Sequence, residues 1–171
     1  AELLYSPSKV KWAGKILRDQ EPGSKEFGDA LEVFANWRNV HSVILNQFYD
    51  SLQEYARTES PLTYVVQRPK RIEAVIKKLR REKPTAQLST MQDIAGSRAI
   101  VKSIYDIEPF VERCKQMWSE HTLCKENPYI DQPNPKTGYR GVHLVYAFRS
   151  RNKSFDGRFI EVQIRTREQH A

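Results

Sequence analysis

The chain has 171 residues, 39% of them hydrophobic, with 28 Lys and Arg against 21 Asp and Glu and a net charge of +7. That length makes one ordinary domain with a real core, and the aliphatic and aromatic content excludes a disordered chain. No apolar run approaches membrane-spanning length and no targeting segment is visible, while the charge favours anionic partners such as nucleotides, RNA, DNA or a membrane surface. Cations that merely solvate helices give the same balance. Two lone cysteines, Cys114 and Cys124, lack CxxC spacing and point to structural thiols in a reducing cytoplasm. A start at Ala1 rather than Met predicts a trimmed N-terminus.

In chain order, the Ser6-Pro7 start signal predicts a short helix to Asp19, and Gln20 to Gly23 a break. From Ser24, a plausible N-cap, a long amphipathic helix runs to about Arg57. Its expected apolar stripe is Phe27, Ala30, Leu31, Phe34, Trp37, His41, Leu45, Phe48, Leu52 and Tyr55. His41 lies within the stripe and reads as a core or boundary histidine, not a ligand. Leu62 to Gln67 reads as a short strand between Pro61 and Pro69. The next helix, Arg71 to Lys83, has its apolar face on Ile72, Val75, Ile76 and Leu79. Arg71 and Lys78 flank that stripe, and Lys70, Lys77 and Arg81 are expected on the solvent side.

A buried strand over Gly96 to Lys102 follows, then a helix from about Asp106 to Glu120 with Pro109 in its first turn. Its inner face is Ile107, Phe110, Val111, Cys114 and Met117. His121 to Lys125 is β-type, Asn127 to Thr137 is a Pro- and Asn-rich loop, and two strands, Val142 to Phe148 and Phe159 to Thr166, close the chain around a polar turn. The expected fold class is α/β (α+β): a mixed β-sheet flanked by helices, with an N-terminal helical region over residues 1–60 packed on a core over 61–171.

The candidate chemistry concentrates in two places. Half of the residues from Arg68 to Lys83 are Lys or Arg, and a single carboxylate, Asp93, then opens an apolar strand. Dense positive charge beside one carboxylate suits a polyphosphate with Mg²⁺. Arg68 and Lys70 at a helix N-terminus oppose the helix dipole, a conflict that a bound phosphate would relieve. The second place is the last strand, where Glu161, Gln163 and Arg165 share one face and Ile160, Val162 and Ile164 the other. Two strand-borne carboxylates can hold one Mg²⁺, and one can accept a hydroxyl proton. A wet edge strand would show the same pattern. Tyr139, at a glycine-flanked turn, can present its ring to a base, and His143 can hydrogen-bond a phosphate or ribose; a hairpin turn with an incidental Tyr and a buried His reads equally well.

Four ordered blocks resemble the synthetase domain of the RelA/SpoT alarmone enzymes, including the small single-domain synthetases. They are Arg68-Pro69-Lys70 with Lys78, Asp93 to Arg98, Pro135 to His143, and Ile160 to Thr166. The resemblance covers roughly Thr63 to Ala171, and the string Glu161 to Thr166 is close to a family signature. It implies a nucleotidyltransferase-like fold and transfer of the β,γ-pyrophosphate of ATP onto the ribose 3′-hydroxyl of GDP or GTP, with Mg²⁺. By position, Arg68 and Arg98 would sandwich the adenine and Lys70 and Lys78 would hold the donor phosphates. Asp93 would bind Mg²⁺, and Glu161 would help bind it and activate the acceptor hydroxyl. Tyr139 would stack on the acceptor base, with His143 and Lys136 near its phosphates or ribose.

The departures from the family pattern lie on the acceptor side. Pro128 precedes Tyr129-Ile130 where Asp is usual, Thr137 precedes Gly138-Tyr139 where Asn is usual, the spacing between those pairs is one residue longer, and Gly141 stands where Ser is common. Hence tRNA or an adenine nucleotide stays open as the acceptor, the toxic variation on this chemistry, and a catalytically silent nucleotide- or RNA-binding regulator is a further alternative. The resemblance also implies further helices beyond Ala171, and no hydrolase region is visible. The N-terminal helices suit self-association or an antitoxin partner, and nothing in them selects between the two.

Overall fold

The computed structural model describes residues 2–60, 63–82, 85–128 and 141–170. Helix α1 spans Pro7–Asp19; Ser6 caps it by accepting from the Lys9 backbone N–H, and Pro7 takes the first-turn position where no donor is needed. Helix α2 spans Lys25–Glu59, with Ser24 Oγ accepting from Phe27 N at 3.0 Å. Strand β1 is Tyr64–Pro69, helix α3 Ile72–Arg81, strand β2 Ala95–Val101, helix α4 Ile107–Met117, strand β3 Thr122–Pro128, strand β4 Val142–Ala147, strand β5 Phe159–Thr166 and helix α5 Arg167–His170. Pro109 falls in the first turn of α4, as expected.

The sheet order is β1-β2-β5-β4-β3, with β2 and β5 parallel and the other pairs antiparallel. Three features shift the sequence expectation, the first being that strand β3 runs on through Asn127 and Pro128, expected in the loop but paired with His143 and Val142. Strand β1 continues through Arg68 and Pro69, a proline tolerated because β1 is an edge strand. Strand β5, for which a wet edge was an open reading, lies at the centre, between β2 and β4.

One sheet face is apolar and packs on helices. Val65, Ala95, Ala99, Val101, Leu144, Tyr146, Ile160, Val162 and Ile164 join Ile44, Phe48 and Leu52 of α2 and Ile107, Phe110 and Cys114 of α4. The N-terminal half of α2 belongs to a second core, in which Phe27, Phe34 and Trp37 meet Val10 and Leu17 of α1, Val75 and Leu79 of α3, and Ile94. One long helix therefore serves two cores. Its stripe is broader than expected: Val33, Val40, Ile44 and Ala56 are buried, whereas Leu31 is exposed, because a helix flanked along its whole length buries more than one i, i+3/i+4 row. Helix α3 is tied to α1 by Arg80, whose guanidinium donates to the carbonyls of Arg18 (3.1 Å) and Gln20 (3.2 Å) at the end of α1.

His41 is buried, as the stripe implied. Its Nδ1 lies 2.7 Å from the Trp37 carbonyl, and burial pushes its pKa down to about 4. Cys114 is buried in α4 and Cys124 is exposed at a bulge in β3; neither is in a disulfide. No helix among the described residues is long and apolar enough to cross a membrane.

Candidate active site

Because β5 is central, its polar face is bordered on both sides. The register aligns Arg68 of β1, Gly96 of β2, Glu161 of β5 and Val145 of β4 in one cross-strand row. The next row is Val66, Arg98, Gln163 and His143. Partners in a row share a face. Residues far apart in sequence, namely Arg68, Arg98, Glu161, Gln163 and His143, thus converge on the face opposite the helical core. Gly96 has a packing reason: a Cβ there would stand 3.0 Å from the Glu161 carbonyl oxygen and 3.8 Å from that of Arg68. The strand carrying Glu161 can therefore draw close to β2.

Within this face, Arg98 Nε donates to Gln163 Oε1 at 3.1 Å, and Gln163 Nε2 donates to Glu161 Oε1 at 2.6 Å. The other carboxylate oxygen of Glu161 lies 4.0 Å from His143 Nδ1, beyond hydrogen-bond range. Burial pulls the His143 pKa below its ordinary value; Glu161 draws it up, and the charges of Arg165, Arg68 and Arg98 draw it down again. At neutral pH the imidazole is therefore uncharged, and it can donate or accept one hydrogen bond at each nitrogen according to tautomer.

The second cluster stands at the entry to β2. Asp93 precedes the strand by two residues, so it is borne on the connection and not on the strand itself. The Lys70 backbone N–H donates to the Ile94 carbonyl at 2.9 Å, which continues the β1–β2 pairing by one step and brings the Lys70 side chain beside Asp93. Lys70 Nζ donates to Asp93 Oδ2 at 2.8 Å, and Lys78 Nζ, from α3, to Oδ1 at 3.3 Å. Lys70 is thus an inward-facing cation, not a solvent-side one, because it extends the β1–β2 pairing just beyond Pro69 and does not begin a helix. The helix starts at Ile72, and Glu73 supplies the acid its first turn favours. Burial pushes the Asp93 carboxyl up, but the Lys70 hydrogen bond and the charges of both lysines outweigh it and hold the group below the usual carboxylate range.

The structure thus brings Arg68, Arg98, Glu161 and His143 onto one face, and Lys70, Lys78 and Asp93 into one cluster at its end. Tyr139 and Lys136 lie outside the described residues. Gln163 was visible in the sequence as a face-mate of Glu161, but its link to Arg98 depends on the β2–β5 pairing, which no local pattern encodes.

Comparison with known proteins follows the same blocks. The family described as "Region found in RelA / SpoT proteins" matches residues 67–171. GTP pyrophosphokinase YjbM of Bacillus subtilis (strain 168) is 32% identical over 118 residues, which are 68% of this chain and 55% of that protein. The chain therefore spans little more than half the length of this relative. Among solved structures, the small alarmone synthetase 1 of Bacillus subtilis superposes with a TM-score of 0.67 at 27% identity, covering 83% of this chain and 74% of that one. A structure of the same synthetase bound to its product pppGpp gives a TM-score of 0.60 at 28% identity, covering 78% and 72%. With the family pattern running from the end of β1 through the Glu161 strand, the chain belongs to the family of the region found in RelA and SpoT proteins.

Proposed function

We propose that the chain transfers the β,γ-pyrophosphoryl group of ATP to the ribose 3′-hydroxyl of GDP or GTP, giving ppGpp or pppGpp. One observation carries this reading: a carboxylate, Glu161, stands on a central strand between Arg68 and Arg98 on one side and His143 on the other, with a lysine-paired Asp93 at the end of the same sheet. The similarity to a GTP pyrophosphokinase and to a synthetase bound to pppGpp supports it. Residues 1–60 then act as the helical layer, and residues 61–171 carry the chemistry.

The reaction needs charge neutralisation, in-line positioning and weak base assistance, with no covalent nucleophile on the protein. The acceptor 3′-oxygen attacks the β-phosphorus, the bond from that phosphorus to the α,β-bridging oxygen breaks, and AMP departs. Glu161 receives the hydroxyl proton. Arg68 and Arg98 hold the adenine between their guanidinium planes. Lys70 and Lys78 turn from Asp93 to the donor phosphates. His143, with Tyr139 and Lys136, orients the acceptor.

The donor set fits Mg²⁺. Asp93 and Glu161 would offer it hard oxygen ligands, and Mg²⁺ takes one or two carboxylates and completes its shell from phosphates and water. When bound, Mg²⁺ supplies charge neutralisation on the transferred group. The two free thiols and the nucleotide substrates fit a cytoplasmic enzyme.

The test is incubation of the protein with γ-labelled ATP and Mg²⁺ and, in parallel, GDP, GTP, ADP or bulk tRNA, with Glu161→Gln as control. Label in ppGpp or pppGpp that vanishes in the control is the expected result. Label in tRNA or in an adenine nucleotide would keep the donor site and replace the acceptor. No transfer to any of them would reject the reading.

A further inference from the structure

We infer that Gln163 is a positioning residue that couples the donor-side Arg98 to the Glu161 carboxylate; this rests on the function proposed above. The amide is buried on the central strand, a position that a β-branched apolar residue would fill at lower desolvation cost. It is satisfied at both ends by charged partners, through Oε1 to Arg98 Nε at 3.1 Å and Nε2 to Glu161 Oε1 at 2.6 Å. Its orientation is forced: a guanidinium can only donate and an ionised carboxylate can only accept, so the flipped amide would lose both bonds.

The consequence is mechanical. Glu161 has two carboxylate oxygens, and the bond from Gln163 fixes which one is occupied. The second, 4.0 Å from His143 Nδ1, stays available for a hydroxyl proton. Arg98, Gln163 and Glu161 occupy neighbouring positions across the parallel β2–β5 pair, where Arg98 faces Gln163 and Gly96 faces Glu161. A displacement of the Arg98 side chain on donor binding therefore reaches the carboxylate through a single amide. Arg98 reads the donor, Glu161 acts on the acceptor, and Gln163 makes the geometry of the second depend on the first.

The two ends of the amide can be tested separately with two variants, assayed with ATP, GDP and Mg²⁺ beside a thermal melt. Gln163→Glu keeps an acceptor for Arg98 but replaces the amide donor with a second carboxyl that shares a proton with Glu161, so the base is no longer held as the amide holds it; kcat should fall by about tenfold to a hundredfold, the scale of an ångström-level misplacement, with the ATP KM unchanged. Gln163→Met, of similar volume, removes both ends; kcat should fall as far and the ATP KM should also rise. In both, the GDP KM should stay within about twofold, because the residue orients the base and does not bind the acceptor. A raised GDP KM at unchanged kcat would overturn the inference in favour of direct acceptor contact. Wild-type kcat in either variant would also overturn it, and so would failure of both to fold, which would make the residue purely structural. Inactive wild-type protein would instead reject the function proposed above, so the two failures are distinguishable.

Discussion

The cluster of Lys70, Lys78 and Asp93 permits a ranked prediction. The two lysines share one carboxylate but differ in setting. Lys70 Nζ is 2.8 Å from Asp93 with side chains 10% and 13% exposed, whereas Lys78 Nζ is 3.3 Å away with its side chain 27% exposed. Breaking a well-made buried pair costs about 3–5 kcal/mol, and an exposed one at most about 1 kcal/mol. Replacing Lys70 by Met leaves Asp93 with one longer, wetter partner, so the loss should sit near the lower bound, about 3 kcal/mol. Replacing Lys78 by Met leaves the short pair intact and should cost about 1 kcal/mol. For a chain of this size each kcal/mol lowers Tm by about 2–4 °C, so the shifts should be about 6–12 °C and about 2–4 °C. The assay is thermal unfolding with chelator and no nucleotide, so that only the resting pairing is read. Equal shifts, or a larger one for Lys78→Met, would refute the claim that burial of the Lys70–Asp93 pair sets the order.

Three further outcomes follow. Glu161→Gln should lower kcat by about a hundredfold to a thousandfold, on the scale of losing one preorganised charged group, while a non-hydrolysable ATP analogue still binds by calorimetry. Gly96→Ala should destabilise by about 1–3 kcal/mol in urea titration, because the new methyl meets the Glu161 carbonyl oxygen at 3.0 Å and backbone on a central strand yields little. His41 gives a pH dependence. Its folded pKa, about 4, lies below the ordinary imidazole value of 6.5, so the unfolded chain takes the proton first on acidification. The stability of neutral burial is therefore complete above about pH 6.5 and declines as pH falls toward 4, by about 2–3 kcal/mol at pH 4.5. His121 and His143, whose pKa values burial also lowers, shift stability in the same direction, toward loss on acidification. The difference between wild type and His41→Leu across that window isolates the buried residue; parallel curves would contradict the assignment.

Most of the element order was legible because it is local. Ser6 and Ser24 announce helix starts by capping chemistry, and the alternation from Phe159 to Thr166 marks a strand whose bounds match those observed. Charge density singled out Arg68, Lys70 and Asp93 and the strand alternation Glu161, and the resemblance added the roles expected of them. What was not legible depends on neighbours. Lys70 read as a helix-flanking surface cation, and only the antiparallel pairing of Pro69 with Ala95 turns it inward. Leu31 fits the helical stripe as well as Phe34 does, yet α1, α3 and the sheet leave its sector of α2 uncovered. Arg98 and Gln163, 65 positions apart, meet because β2 and β5 run parallel, and a parallel pair carries no hairpin signal in its connection.

The placement of β5 explains why its sequence alternates. A central strand with both faces buried by helices would read as a continuous apolar run. Here Ile160, Val162 and Ile164 supply the core on one side, joined there by Ala95, Ala99 and Val101 from β2 and Leu144 and Tyr146 from β4. The other face is thereby released from core duty, and an acid, an amide and a cation can stand on a strand paired along both edges. In the proposed function Glu161 takes the proton of the attacking hydroxyl, and a carboxylate with that task is better held by a strand flanked on both edges than by a loop. Asp93 stands just off β2, and in the proposed function its two lysines exchange the carboxylate for a donor phosphate. The proposed function thus pairs a base held on the sheet with an exchangeable ion cluster at its end, the division of labour expected where a donor polyphosphate must enter and a shortened nucleotide must leave.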